Sequence, residues 1–421
     1  MAKVIVVGSG IAGLLSACFA AQKGHQVTVL SYGQGALTVA GGIIDVYGYD
    51  KDGQQISDPL KQIATLKAPH PYALIGVSQV EAALNAFKDL TAKNGYPYLG
   101  DGHTNQIVPT AIGFFKPSCL IPQSIEGSAL FKRKKIVVVG FELLKDYFPK
   151  LIAKNFKKYF GNDKDISIKN VSLNWTSGRA YRDVSALDIA RALENKIEQL
   201  NIVSQLKAIA DPDTTFVIPP VMAERHELSA QIQDSMEEGL NGAKLVEVSS
   251  IPPSVTGLRL DRLLHKAAIS LGVTIIEKAH VIGSNVENGV CKEVLTGGYG
   301  RVRSYAADAF IVATGGVFGN GLVTQMGRMY EPIFGLEIKV PEDQKDWSYQ
   351  YLFCGKPQPF ASYGVAVNEK LQPVTAGGEA VLSNVFFAGR SLAGYDFCYE
   401  KSGNGVCVAS AYHAACQLDA I

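Results

Sequence analysis

Gly8, Gly10 and Gly13 stand in G-x-G-x-x-G spacing close to the start of the chain. At that spacing the first glycine permits a tight turn and the second lets a phosphate approach the backbone. The third lets a helix pack close on a strand. Ala12 belongs to the same turn, and the free N–H groups of the helix that follows are suited to holding an anion. Ser31 stands where dinucleotide folds usually place an Asp or Glu against the adenosine ribose, and no nearby arginine marks a 2′-phosphate. The phosphate end of a nucleotide site is therefore complete, while the acidic adenosine anchor is missing.

Three further stretches could serve the other end of such a nucleotide. Residues 34–45 read Q-G-A-L-T-V-A-G-G-I-I-D, with Thr38, Gly41 and Gly42 as the candidates to lie flat against a ring. Flavoproteins of the succinate dehydrogenase and fumarate reductase type carry a similar loop. Ala313, Thr314 and Gly315 follow an apolar run at 310–312, and small residues there let a turn pass beside a cofactor. Gly389 and Arg390 end another apolar run, and Gly403, Asn404 and Gly405 open a helix. The amides of that helix start can face a flavin edge where negative charge gathers on reduction. Flavoproteins with FAD usually carry an acid where Arg390 stands. Ser31 and Arg390 together favour FMN, held non-covalently, with FAD as the alternative.

A base for taking a proton from an alcohol must lie within hydrogen-bond reach of it. His413, Glu400 and Tyr395 are the candidates by their nearness in sequence to the C-terminal motifs. Arg179, Arg182 and Arg225 could clamp a phosphate or carboxylate, or simply form surface ion pairs. His226 beside Arg225 is too common a residue type to mark as a base.

These groups need a scaffold, and the patterning supplies one. The β-branched run at 3–7, the helix after Gly13 and the strand at 26–30 complete a strand–turn–helix–strand unit. Residues 78–94 show helical apolar spacing with Ser78 and Glu81 as a capping box. Strand, helix, strand and helix are expected at 136–140, 143–160, 166–173 and 185–200, then a strand at 216–218. The expected class is α/β, an FAD/NAD(P)-binding (Rossmann-like) flavoprotein fold with an inserted α/β domain. The boundaries fall at 1–126 and 251–421 for the two segments of the flavin domain and 127–250 for the insert.

The basic cluster at 132–135 reads as a solvated strand entrance. With 40 basic and 39 acidic side chains the net charge is +1, which gives no long-range field for nucleic acid. The seven cysteines stand singly, without C-x-x-C, so no metal site is expected and an iron–sulfur cluster within this chain is disfavoured. Unpaired thiols suit a reducing cytoplasm. The apolar stretch 4–21 carries the glycine fingerprint, so it is read as the nucleotide unit rather than a membrane span.

Nearly end to end, the chain resembles the B subunits of bacterial anaerobic glycerol-3-phosphate dehydrogenases. The residues that carry this include the G-S-G-I-A-G turn, the segments around Pro252 and Pro253, Gly315 to Val323, Glu331 to Leu336, Gln358 to Phe360 and Tyr363 to Val365. The tail from Leu392 to Asp396, Gly403 to Val406 and Ala411 to Ala415 continues it, with Arg390 and Tyr412 as local departures. The resemblance implies an FMN flavoprotein in a three-subunit complex with a sister FAD dehydrogenase subunit and an iron–sulfur subunit at the membrane. Such a complex oxidises sn-glycerol 3-phosphate to dihydroxyacetone phosphate and passes electrons to menaquinone. It would lie in the cytoplasm at the inner face of the membrane, with this chain oxidising substrate or relaying electrons. A stand-alone fumarate-reductase-like enzyme acting on a small anion, and a partner-binding scaffold, are the alternatives.

Overall fold

The apolar run at the N-terminus forms β1 (Lys3–Val7), and the glycine turn leads into α1 (Ile11–Gln22) and β2 (Gln26–Leu30). The structure is a computed structural model and describes residues 1–161, 165–176, 183–249, 252–298, 300–352 and 354–421. Gly8 takes φ +109°, and a Cβ there would overlap the Ala313 carbonyl. A Cβ on Gly13 would overlap the Gly8 carbonyl, so helix and strand meet backbone to backbone.

Next, α2 (Val77–Lys93) buries Val80, Ala83, Leu84, Phe87 and Leu90 on one face. It begins one residue before Ser78, behind Gly76 at φ +84°, and no side chain caps it. The expected capping box of Ser78 and Glu81 is therefore absent, because the left-handed glycine restarts the helix earlier. A hairpin, β3 (Gln106–Pro109) and β4 (Phe115–Ser118), precedes a second α/β layer.

That layer runs β5 (Lys135–Phe141), α3 (Pro149–Phe160), β6 (Ser167–Leu173), α4 (Ala186–Ala192) and α5 (Lys196–Lys207). It closes with β7 (Thr214–Ile218), α6 (His226–Glu238) and β8 (Lys244–Glu247). Two helices differ from expectation. Residues 142–148 are loop, and α3 starts at Pro149, in the first turn, where a missing N–H costs no helical bond. The helix expected over 185–200 is two helices. Ser185 and Asp188 cap the first reciprocally, and Asn195 Oδ1 accepts the Ile197 amide at 2.9 Å to start the second.

The chain returns through α7 (Val255–Ser270), β9 (Thr274–Ile276), β10 (Ala309–Val312), β11 (Val385–Phe387) and α8 (Gly403–Gln417). α7 starts at Val255 because Ser254 Oγ accepts the Gly257 amide at 3.1 Å. Two all-parallel sheets result. One has the order β9-β2-β1-β10-β11 and the other β8-β7-β5-β6. Each has its own apolar core, and α7 reaches both: Val255 packs in the second, Leu260, Leu263 and Leu264 in the first.

Between the cores lies a fully buried ion pair. Arg259 on α7 meets Glu247 at the end of β8 through Nη1–Oε2 at 2.7 Å and Nη2–Oε1 at 3.0 Å. Arg259 Nε donates to the Ala223 carbonyl, and the Met222 amide donates to Glu247. Burial alone would push the Glu247 carboxyl up, but the Arg259 charge and its hydrogen bonds outweigh that and hold it below the ordinary range. A carboxyl depressed on folding adds stability above its unfolded pKa and loses it as pH falls through the folded one. Glu247→Gln is expected to cost about 3–5 kcal/mol at neutral pH by stranding a buried guanidinium, and to flatten the acid limb of the stability profile. Glu247→Leu with Arg259→Met should recover most of the loss. Denaturant titration against pH checks both, and a near-neutral Glu247→Gln would remove this pair as a stabilising joint.

Candidate functional site

The expected cofactor residues gather where the first sheet's strands end. Gly8 follows β1, Ser31 follows β2, Ala313 follows β10 and Gly389 lies just past β11. All four are at carboxyl ends of parallel strands, where open α/β sheets place their ligands. Close approach of backbone and side chains ties the segments into a ring. A Cβ on Gly389, at φ +77°, would lie 2.8 Å from Ala12 Cβ, and one on Gly316 would lie 3.1 Å from the Arg390 carbonyl. Arg390 spreads its guanidinium over Phe397 at 4.1 Å, beside Gly403. Asn404 Nδ2 donates to the Ile43 carbonyl at 2.8 Å, and the Gly405 amide donates to Asp45 O at 2.9 Å.

Two features of this ring suit a phosphorylated ring system. The first turn of α1 carries no side-chain cap and no acidic residue, so its leading amides and dipole are available to an anion. A Cβ built on Gly10 meets only Gly35 Cα, at 3.9 Å, so there is room above the turn. The Thr314 hydroxyl is buried and has no hydrogen-bond partner. A buried polar group without a partner is costly unless something else satisfies it.

Other expected residues have more local explanations. Gly42, at φ +63°, is needed because a Cβ would strike the Thr256 carbonyl, while Thr256 Oγ1 donates to Gly41 O at 2.7 Å. Thr38 Oγ1 donates to Gly35 O at 3.3 Å, and its carbonyl accepts the Ser254 amide. This loop is thus clamped onto the start of α7. Ser31 Oγ bonds Ser9 Oγ at 2.5 Å, and next to it Tyr32 stacks on His280 with centroids 4.3 Å apart.

The three candidate bases are dispersed or already engaged. His413 lies ten residues into α8, about 15 Å along the helix from Gly403. Its Nε2 donates to the Glu369 carbonyl at 2.8 Å, and burial pushes its pKa down. Tyr395 donates to the Gly389 carbonyl at 3.4 Å, and burial pushes its pKa well above the usual value. Glu400 lies close to the start of α8 and accepts from Ser402 Oγ at 2.9 Å, Asp396 N at 3.3 Å and His70 Nε2 at 3.2 Å. His70 Nδ1 accepts the Tyr72 amide, so the ring proton sits on Nε2 and points at Glu400. No spacing in the sequence marks His70, which arrives through a loop 330 residues away from Glu400.

Away from the ring, Tyr412 packs edge-on to Phe19 between α1 and α8, so its place is helix packing. Arg225 pairs with Glu194 at 2.8 Å on the surface. His226 is buried, with Nδ1 3.2 Å from Glu227. Arg179 and Arg182 lie outside the described residues.

The chain matches the family described as FAD binding domain over residues 3–406. It is 31% identical over 425 residues to the probable B subunit of an anaerobic glycerol-3-phosphate dehydrogenase from Halobacterium salinarum, covering 98% of this chain and 96% of that one. Identity is 30% over 436 residues to the anaerobic glycerol-3-phosphate dehydrogenase B subunit of Aliivibrio fischeri, covering 98% and 94%. The Vibrio cholerae protein of the same name is 29% identical over 427 residues, covering 99% and 96%.

Gly10 separates cofactor loss from misfolding. Its φ of −75° suits any residue, and its Cβ position is free. Gly10→Val is expected to keep the far-UV circular dichroism of the parent and to lose bound cofactor by at least tenfold, because the branched side chain fills the anion's space. A folded variant that keeps a stoichiometric chromophore would place the cofactor elsewhere.

Proposed function

This chain belongs to the FAD-binding domain family and to the anaerobic glycerol-3-phosphate dehydrogenase B subunits, and from that premise we propose that it is an electron-relaying flavoprotein subunit of such a dehydrogenase. Foremost in support is the ring of glycine-rich segments at the carboxyl ends of one parallel sheet, with the partnerless Thr314 hydroxyl in one of them. In this proposal residues 127–250 form an inserted layer over the flavin domain. A flavin held in the ring would supply electron exchange between the subunit that oxidises the alcohol and a one-electron iron–sulfur partner.

The chain's own residues would do the following. Gly8, Gly10, Ala12 and Gly13 with the amides of α1 would hold the phosphate. Ala313, Thr314, Gly315 and Gly389 would line the ring with small side chains and one hydroxyl. The N-terminal amides of α8 at Gly403 and Asn404 favour negative charge on whatever faces them. Arg390 adds a cation whose field is directed by its contact with Phe397.

The state of the candidate bases supports relay rather than direct oxidation. Oxidising a secondary alcohol requires its hydroxyl proton to pass to a group with a free lone pair in reach. Glu400 receives three donors, Tyr395 keeps its proton, and His413 is held by a backbone carbonyl ten residues along α8. On this account a sister FAD dehydrogenase subunit meets sn-glycerol 3-phosphate. An iron–sulfur subunit takes the electrons on toward menaquinone, at the inner face of the membrane.

The cofactor's identity divides on the far side of the phosphate turn. The family to which the chain belongs is described by FAD, which favours FAD over the FMN expected from Ser31 and Arg390. FMN keeps one specific observation in its favour: the stacked Tyr32 and His280 rings lie beside Ser31, at the end of β2 where adenosine would extend.

Denaturing the purified protein and separating the released flavin should give FAD as the dominant peak; a dominant FMN peak would reverse the assignment. In stopped-flow absorbance, sn-glycerol 3-phosphate should leave the flavin of the isolated chain oxidised and bleach it only once the sister FAD dehydrogenase is added. Bleaching of the isolated chain within seconds would make it the substrate-oxidising subunit instead.

A further inference from the structure

An exposed surface formed by the β3–β4 hairpin and the second layer has a composition that the flavin ring does not use. Residues 110–118, 129–136 and 147–161 together hold nine basic residues and no acidic one, in a chain of net charge +1. Three of the nine are committed: Lys116 pairs with Asp45, Lys135 with Asp211, and Arg133 bonds to backbone carbonyls. Lys150, Lys154, Lys157 and Lys158 all lie on the exposed arc of α3 and pair with no carboxylate among the described residues.

Beside these lysines the surface is apolar. The turn between β3 and β4 is locked by Thr110, whose Oγ1 donates to Phe114 O at 2.8 Å and accepts the Phe114 amide at 3.1 Å. It holds Ile112 and Phe114 outward, 57% and 56% exposed. Asn155 Nδ2 donates to the Ile112 carbonyl at 2.7 Å, which clamps the tip to α3. Leu151, Tyr159 and Phe131 continue the exposed strip, joined through Phe115, whose ring lies 4.4 Å from Tyr159 and 5.4 Å from Phe131. At 100° per residue Lys158 and Lys154 lie within one side-chain width of Leu151 on the helix. Apolar tips and cations therefore share one face.

We propose that this face, the tip at Ile112 and Phe114 with the lysine arc of α3, docks directly on a bilayer surface rich in anionic phospholipid. The chemistry is complementary in both parts. Ammonium groups on long stems, without a carboxylate partner among the described residues, match a layer of phosphates, and isoleucine and phenylalanine tips match the acyl boundary beneath it. Tyr159 has the amphipathic ring favoured at headgroup level. Protein interfaces deplete lysine in favour of arginine, whereas every uncommitted cation here is a lysine. The tip is rigid and projects outward, so it enters a soft surface without reorganising. Among the described residues no helix is long and apolar enough to cross a membrane, and the contact is one of lying on the surface. Nothing in it depends on the flavin assignment.

Co-sedimentation of the full-length protein with vesicles tests this. Vesicles of phosphatidylcholine with one-third phosphatidylglycerol are expected to bind at least tenfold more protein than phosphatidylcholine alone, with the difference lost at 0.5 M salt. Lys154→Gln with Lys158→Gln, and separately Ile112→Ser with Phe114→Ser, should each lower binding about tenfold while leaving circular dichroism and bound chromophore unchanged. Equal binding to both vesicle types, or variants that bind like the parent, would overturn the proposal. So would absence of vesicle binding together with variants that fail to assemble with partner subunits, which would make the face a protein interface.

Discussion

Arg259 and Glu247 set the terms on which the two layers coexist. Each charge alone would be ruinous in a dry interior, and each is tolerable only because the other stands 2.7 Å away with the backbone filling the remaining bonds. The pair lies at the seam, one partner at the end of a strand in the second sheet and the other on the helix that braces the first. It therefore fixes the register of one layer on the other as well as their contact. A hydrophobic pair could supply stability there, but it would not demand a single geometry in the way a bidentate ion pair does.

From that seam the ring of glycine-rich segments follows by close packing. α7, pinned by Arg259, presents Ser254, Thr256 and Gly257 to the loop at 37–42, and Gly42 and Gly257 exist because their backbones touch that partner. The loop passes Ile43 and Asp45 to the start of α8, and α8 in turn packs along α1 through Tyr412 and Phe19. Every segment around the ring is thus held by another. Glycine serves two purposes along it: close backbone contact at residues 8, 13, 42 and 257, and an uncrowded Cβ position at residue 10.

How much of this the sequence disclosed depends on whether the determinant was local. The nucleotide unit was legible because its spacing is a property of one short turn. The glycine runs after β10 and β11 were legible for the same reason. Helix starts were read less well where the decision belonged to a backbone angle or a cap, as at Gly76, Pro149 and Asn195. The buried ion pair was invisible because Arg259 reads as an ordinary helix residue until the fold removes it from water. His70 was missed because its partner is supplied by the far end of the chain. His413 was drawn in by sequence nearness to Gly403, which on a helix translates into distance rather than contact.

The base of the second layer has a consequence for how the chain reaches this state. The Ser249 amide donates to the Pro109 carbonyl at 2.9 Å, and Thr110 bridges Ser249, so the layer departs and returns at one point. β2 and β9 are neighbours in the first sheet although the whole layer lies between them in sequence. Loop closure over such a separation grows costlier with length, though only logarithmically. A layer that collapses on its own parallel sheet draws its two ends together and shortens the effective tether between β2 and β9. β1 has one partner, β2, close by in sequence, whereas β9 and β10 come from beyond the layer and join at least entropic cost once its ends are together.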